Sequence, residues 1–188
     1  MTRVRLQPIL HAVLLAVMSA GGYAAAEVVD AAAGGFTTVN EVRVDASRAD
    51  AWRIATSEID QWWSSNHTIS GDAGRLYIEV RPKGCFCERL GDDAGVVHLT
   101  VTMVSPGVVL RMTGGLGPLG LMGVNGNMTW EFDDDDDGSR IKFTYAVGGY
   151  YSGGLDNIAA AVDGVIGEAL LRLKAHIETG DAENIDGE

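Results

Sequence analysis

Cysteines stand at positions 85 and 87 in the stretch KGCFCERLGDDAGVVHL (83 to 99), with Glu88 directly after them and His98 ten residues further on. Thiolates and imidazole ligate soft metals, paired thiols form disulfides, and a carboxylate beside an imidazole moves protons. These are the chain's only cysteines. Oxidants met by an exported protein make a disulfide the first thought. In a flat strand, however, the side chains of residues 85 and 87 point the same way, with Cα atoms roughly 6.6 Å apart and Cβ atoms hardly closer. A disulfide wants Cβ atoms near about 3.8 Å, so the spacing predicts no bond while the strand is intact. If the turn near Asp92 and Asp93 sets Cys87 opposite His98, then Cys85, Cys87 and His98 share a face and could hold a soft metal, with no fourth ligand visible. A slip of one residue sets Cys87 against Leu99 and Cys85 against Val101, making both small core residues. Val97, Leu99, Val101 and Met103 read as one buried row, so core or cavity wall is the expected place for both cysteines and the metal set is the alternative.

Other chemistry is sparse. Gly115, Gly117 and Gly120 spell GxGxxG, but Pro118 interrupts them and the strand-then-helix context of a dinucleotide site is missing. Asp133, Asp135, Asp137 and Gly138 match the first half of a calcium loop, yet Thr144 would stand where the bidentate carboxylate belongs, so DDDDDGS reads as a solvated hairpin turn. Asn66-His67-Thr68 and Asn127-Met128-Thr129 are glycosylation sequons by pattern, relevant only in a eukaryote. His67, His98 and His176 lack a GxSxG-type partner, and His176 reads as a surface residue at a helix end. No catalytic residue is assigned. General acid/base work by Glu88, Asp163 or His98 is the one enzymatic idea the residues support.

The elements that position these residues follow from periodicity. Phe36 to Ala46 is β-rich, Ser47 caps a short helix carrying Trp52 and Ile54 with Asp50 three residues on, and SEIDQWW forms a second short helix or turn. Strands are expected at Arg75 to Arg81, Gly84 to Leu90, Val96 to Val104, Val108 to Thr113, Asn127 to Asp133 and Ser139 to Val147. Met128, Trp130 and Phe132 alternate on one face, as do Ile141, Phe143, Tyr145 and Val147, which gives sheets with one buried side. From Leu155 to Ile177 the apolar period becomes helical, with Gly180 as a stop. Such a helix must bury its stripe, and the sheet is the only large partner available.

This order of elements, the DASRADAW helix start, the Trp62-Trp63 pair, the KGCFCERL strand, the VSPGVVLRM corner and the C-terminal helix resemble the SRPBCC superfamily (START/Bet v1-like). Within it the chain is most similar to the Hsp90-activator-homologue-like and polyketide cyclase/dehydrase-like members, in an exported branch of unassigned activity. The resemblance spans residues 36 to 179. It implies an α+β helix-grip fold: a curved antiparallel sheet of about seven strands around one long C-terminal helix, with two short helices after the first strand. It also implies a cavity between sheet and helix for a small apolar or amphipathic ligand, and clefts of that kind are the usual ligand sites. Candidate lining residues are Trp63, Phe86, Glu88, Met112, Leu116, Met122, Trp130, Tyr145 and Asp163. An inward Glu88 or Asp163 would need a partner or a raised pKa, whereas an outward one is merely solvated. The apolar, glycine-rich stretch 114 to 127 is expected as a flexible loop that folds over the cavity mouth or meets a partner or membrane surface.

Compartment and charge bound the rest. Arg3 and Arg5, the apolar run Ile9 to Ala20 and Ala24-Ala25-Ala26 form the three parts of a secretory signal, so residues 1 to 26 are expected to be removed, leaving a periplasmic or secreted protein. Residues 27 to 35 are then a linker, 36 to 179 the domain and 180 to 188 a flexible acidic tail. Cleavage lowers Lys plus Arg from 14 to 12 against 26 acids, taking the net charge from −12 to −14. Such a chain repels phosphate backbones and anionic lipid, which argues against nucleic acid and for at most transient membrane contact. The expected activity is non-catalytic binding of a small hydrophobic molecule without a cofactor. A cyclase- or hydrolase-like enzyme using cavity carboxylates is the alternative, and a metal protein using Cys85, Cys87 and His98 comes third.

Overall fold

The computed structural model describes residues 25–185. The expected signal segment lies almost wholly outside those residues, as does the end of the expected tail. Eight strands build one antiparallel sheet: β1 (Ala25–Ala32), β2 (Gly35–Val44), β3 (Leu76–Ile78), β4 (Cys85–Arg89), β5 (Gly95–Ser105), β6 (Val109–Gly114), β7 (Gly123–Asp135) and β8 (Gly138–Tyr150). Their spatial order is β1-β2-β8-β7-β6-β5-β4-β3. Helices α1 (Arg48–Ser57) and α2 (Ile59–Trp62) follow β2, and α3 (Asp156–Thr179) closes the chain against β2 and β1. This is the helix-grip α+β architecture, with eight strands where seven were expected. The extra one, β1, occupies most of the stretch expected to be a linker. Its sequence AAEVVDAA carries no alternation, and it is a strand because β2 pairs with it, Glu27 opposite Val39 and Ala31 opposite Phe36.

Alternation is observed where it is strongest. Phe36, Thr38, Asn40, Val42 and Val44 of β2 are buried, as are Met128, Trp130 and Phe132 of β7 and Ile141, Phe143, Tyr145 and Val147 of β8. Register aligns Asn40, Phe143, Trp130 and Leu110 in one row across four strands. Trp130 stacks on Phe143 at 4.4 Å between ring centroids and meets Trp62 at 5.9 Å. Ser47 caps α1 as the sequence suggested: its hydroxyl accepts from the Asp50 N–H at 3.2 Å and donates to the Asp50 carboxylate at 2.6 Å. Such a cap is worth about 1 kcal/mol. The aspartates form the expected hairpin, with Asp136 and Asp137 between β7 and β8.

β5 departs from the expected row. Leu99 and Val101 are 1% exposed, but Val97 is 62% and Met103 43% exposed. Two bulges are responsible. Phe86 pairs with Leu99 while Cys87 pairs with Val97, leaving His98 as an extra residue, and Thr102 is extra between Val101 and Met103. Each one-residue insertion flips every side chain beyond it to the other face.

The C-terminal end is tied down. Gly180 takes φ 78° and returns its N–H to the His176 carbonyl, a left-handed stop that glycine makes cheaply. Arg172 donates to the Trp62 carbonyl at 2.9 Å and to Glu183 at 2.7 Å, and Ala182 is buried, so residues 181 to 183 fold back on the domain where a free tail was expected. His176, expected at the surface, has its ring largely enclosed and meets Glu58 at 2.9 Å. That histidine is the chief reason Glu58 sits below its ordinary carboxylate value, against a smaller opposing push from burial.

Candidate ligand cavity

A cavity of about 790 Å³ opens between the start of β5, the loop from Gly115 to Met122, the segment Trp63 to Ile69 and one face of α3. Its size falls in the roughly 300–1,000 Å³ range of small-molecule sites. The walls are apolar: Leu116, Leu119 and Met122 from the loop, Ile158, Val162 and Ile166 from the helix. Ile69, Val97 and Leu121, which are 58%, 62% and 94% exposed, form an apolar rim at the mouth.

One polar side chain, His98, is set in this wall, with Glu88 bonded to it from behind. The bulge turns His98 and Leu99 inward together, and His98 Nε2 lies 2.9 Å from Glu88 Oε2, with both side chains almost wholly enclosed. Glu88 also accepts the backbone N–H groups of Ile69 at 3.0 Å and Ser70 at 2.5 Å. Burial by itself raises the Glu88 carboxyl, but the hydrogen bonds from Ser70, Ile69 and His98 together outweigh it and hold the group below its ordinary value. Glu88 is therefore an ionised, fully satisfied anchor between β4, β5 and the cavity rim. A second pair, His67 Nε2 with Glu168 Oε2 at 3.1 Å, sits more openly at the same mouth.

The cysteines correct the sequence reading. Cys85 and Cys87 are joined in a disulfide, with their Cα atoms 5.4 Å apart instead of the flat-strand spacing. β4 is shortened opposite the His98 bulge, from the roughly 6.6 Å of a flat strand to near the roughly 5.5–6 Å Cα spacing most disulfides adopt. The strand survives because Cys85 still pairs with Thr100 and Cys87 with Val97 and Tyr77. Neither expected register occurs, and the metal set of Cys85, Cys87 and His98 is dismantled: the sulfurs bind each other, and His98 faces the cavity with Glu88. Among the described residues no group of three or more His, Cys, Asp and Glu is placed to hold a metal.

The sheet order, the helix across it and the cavity between them accompany a direct sequence match. Residues 35–178 match the family described as polyketide cyclase / dehydrase and lipid transport. The chain belongs to that family. No curated protein matches it. Solved structures similar to this family member include a conserved protein of unknown function from Enterococcus faecalis (16% identity, covering 87% of this chain and 86% of that one, TM-score 0.56). An uncharacterised protein from Rhizobium leguminosarum shares 20% identity over 82% of this chain and 97% of its own, TM-score 0.54. The Aha1 dimer from Colwellia psychrerythraea shares 15% over 77% of this chain and 97% of its own, TM-score 0.54. At these identities the likeness is one of fold.

In this family member the proposed lining residues separate into three groups. Trp63, Leu116 and Met122 border the cavity, and Glu88 reaches it through His98. Phe86, Met112, Trp130 and Tyr145 are packed in the core behind it, each no more than 1% exposed. Asp163 points instead to β2, where its carboxylate accepts from Asn40 Nδ2 at 2.9 Å. Sequence reasoning did not place His67, Asn66, Ile69 or the helix residues Ile158, Val162 and Val165 at a site. The helix residues were visible as an apolar stripe, but a stripe does not say which part of it meets a void.

The stretch 114 to 127, expected as one flexible loop, carries regular structure of its own. It carries a short 3-10 turn, Gly117–Leu121, and β7 already begins at Gly123. Tyr145 clamps its start: the phenol donates to the Gly114 carbonyl at 3.0 Å and accepts the Leu116 N–H at 3.0 Å. Burial raises the phenol's pKa, with the Leu116 bond pulling the other way, so the donor stays protonated. Gly126 makes room for that ring, since a Cβ there would lie 2.5 Å from it. Tyr145→Phe is expected to speed limited proteolysis between residues 115 and 122 by about 5–30-fold, the equivalent of one or two lost hydrogen bonds, while cleavage elsewhere is unchanged. Equal cleavage rates at the loop would show that the phenol does not hold it.

Proposed function

We propose that this protein is an exported carrier or sensor that holds one small hydrophobic or amphipathic molecule in the cavity beneath α3. The observation that carries this reading is the cavity itself: apolar walls around about 790 Å³, with a single enclosed carboxylate–imidazole pair to orient a ligand. An apolar rim at the mouth suits entry of such a molecule. The Cys85–Cys87 disulfide supports export, since disulfides persist in oxidising compartments. Membership of a family described as cyclase, dehydrase and lipid transport fits the same kind of cargo.

The test uses a neutral solvatochromic dye such as Nile red, with native mass spectrometry of protein purified from its own periplasm beside it. Ala161→Trp and Val162→Trp, which fill the cavity from the helix side, are expected to weaken dye binding about tenfold or more while the circular dichroism spectrum is kept. A mature chain beginning near Glu27 and carrying a copurified apolar mass is the accompanying expectation. Undiminished dye binding by both folded variants would remove the cavity from the function. The Glu88–His98 pair favours one second reading, an acid/base enzyme on a similar ligand. Slow turnover of the copurified molecule, abolished in His98→Phe, would decide for it.

A further inference from the structure

We infer that the ligand is electrically neutral and carries a hydroxyl or similar hydrogen-bond donor, which it gives to Nδ1 of His98. This rests on the cavity-binding reading and names the chemistry that reading leaves open.

The tautomer of His98 follows from its partner. Glu88 is held ionised and accepts two backbone N–H groups besides the imidazole, so it offers His98 only acceptor oxygens. Nε2, 2.9 Å away, must therefore carry the hydrogen. In the neutral imidazole, the form the inference concerns, that placement leaves Nδ1 with a lone pair. It makes no hydrogen bond to any described residue. Nor is it among the sealed polar atoms lacking a partner, which among the described residues are Thr38 Oγ1, Asn40 Oδ1, Trp62 Nε1 and Trp130 Nε1. A residue only 6% exposed thus keeps an unpartnered acceptor open to the void it borders. An acceptor open to a cavity bonds whatever donor enters it, so a ligand that brings a hydroxyl replaces water there without losing the bond, and one without a donor does not.

The remaining wall excludes the common alternative, an acidic amphiphile. Among the described residues no Lys, Arg, Asp or Glu lines the cavity. Its two imidazoles are each already tied to a carboxylate, Glu88 and Glu168, and the chain's formal net charge is −12. A carboxylate or phosphate head would be desolvated there without a free cation and beside two anions, whereas a neutral hydroxyl loses little hydration and regains a bond. Asn66 and Thr68 at the mouth can serve further neutral polar groups.

The experiment displaces Nile red from the full chain at mildly alkaline pH with three ligands of one chain length: 1-decanol, its methyl ether and decanoate. Decanol is expected to bind about tenfold more tightly than the ether, which has no donor, and more tightly still than decanoate. His98→Phe, which preserves the ring packed against Phe86 at 5.4 Å, is expected to bring the alcohol and the ether within about twofold while the dye still binds. Ether or decanoate binding as well as decanol in the wild-type protein overturns the inference, and that comparison stands even if the variant does not fold. An undiminished alcohol preference in folded His98→Phe overturns it too. A wild-type protein that does not bind the dye fails the cavity reading itself, a result distinct from dye binding without preference.

Discussion

Glu88→Ala is expected to destabilise the fold by about 3–5 kcal/mol, because it strands an enclosed imidazole and two backbone N–H groups at once. The loss should appear as a lower urea midpoint at neutral pH with an unchanged slope. Glu88→Gln should cost less, since its amide oxygen still accepts. Its pH dependence is distinctive. The folded carboxyl lies below its ordinary value of 4.5, so its stabilisation is complete above that value and drains away as pH falls through the depressed folded value. The glutamine cannot titrate, so the gap between wild type and Glu88→Gln should narrow in acid. A Glu88→Ala cost below about 1 kcal/mol would mean the pair is solvated and not an anchor.

Trp130→Ala is the second large effect, about 3–5 kcal/mol, the usual range for emptying a core of an aromatic side chain. Trp130 is 1% exposed and lies between Phe143 and Trp62, away from the cavity wall. Nile red affinity of the molecules that remain folded should match wild type, which separates a core role from a binding one. Trp130→Phe should cost much less, because the indole N–H has no partner among the described residues and nothing polar is lost with it. A Trp130→Ala protein of near-native stability with weakened dye binding would return this residue to the ligand site.

The features legible in the sequence are those with an unbroken period. α3, β7 and β8 repeat cleanly over many residues, and together with the Ser47 cap they specify a sheet gripping a helix. β5 was misread because a bulge leaves no compositional mark: GVVHLTVTMV alternates on paper, while the chain inserts His98 and Thr102 and changes face twice. The same bulge hid the site. It turns His98 toward Glu88 and lies opposite the joined Cys85 and Cys87, so neither the metal alternative nor the absent disulfide holds, and a flat-strand reading of this hairpin shows neither outcome. β1 was illegible because its strand character lies in its partner and not in its own composition. Trp63, Leu116 and Met122 were placed at the cavity, whereas the core aromatics were not separable from it, since hydrophobic size alone does not distinguish a wall from what stands behind the wall.

An open sheet leaves two strands with unused backbone groups, and such strands invite another chain to add on. Here both ends of the sheet are poor templates. β3 is three residues long and runs at once into the Glu79–Arg81 turn and Pro82. β1 is kinked where its register skips Val29, and its exposed Glu27 and Asp30 add charge that repels an identical strand. The same residues that read as a linker thus disfavour the addition of a second copy to this edge of the sheet.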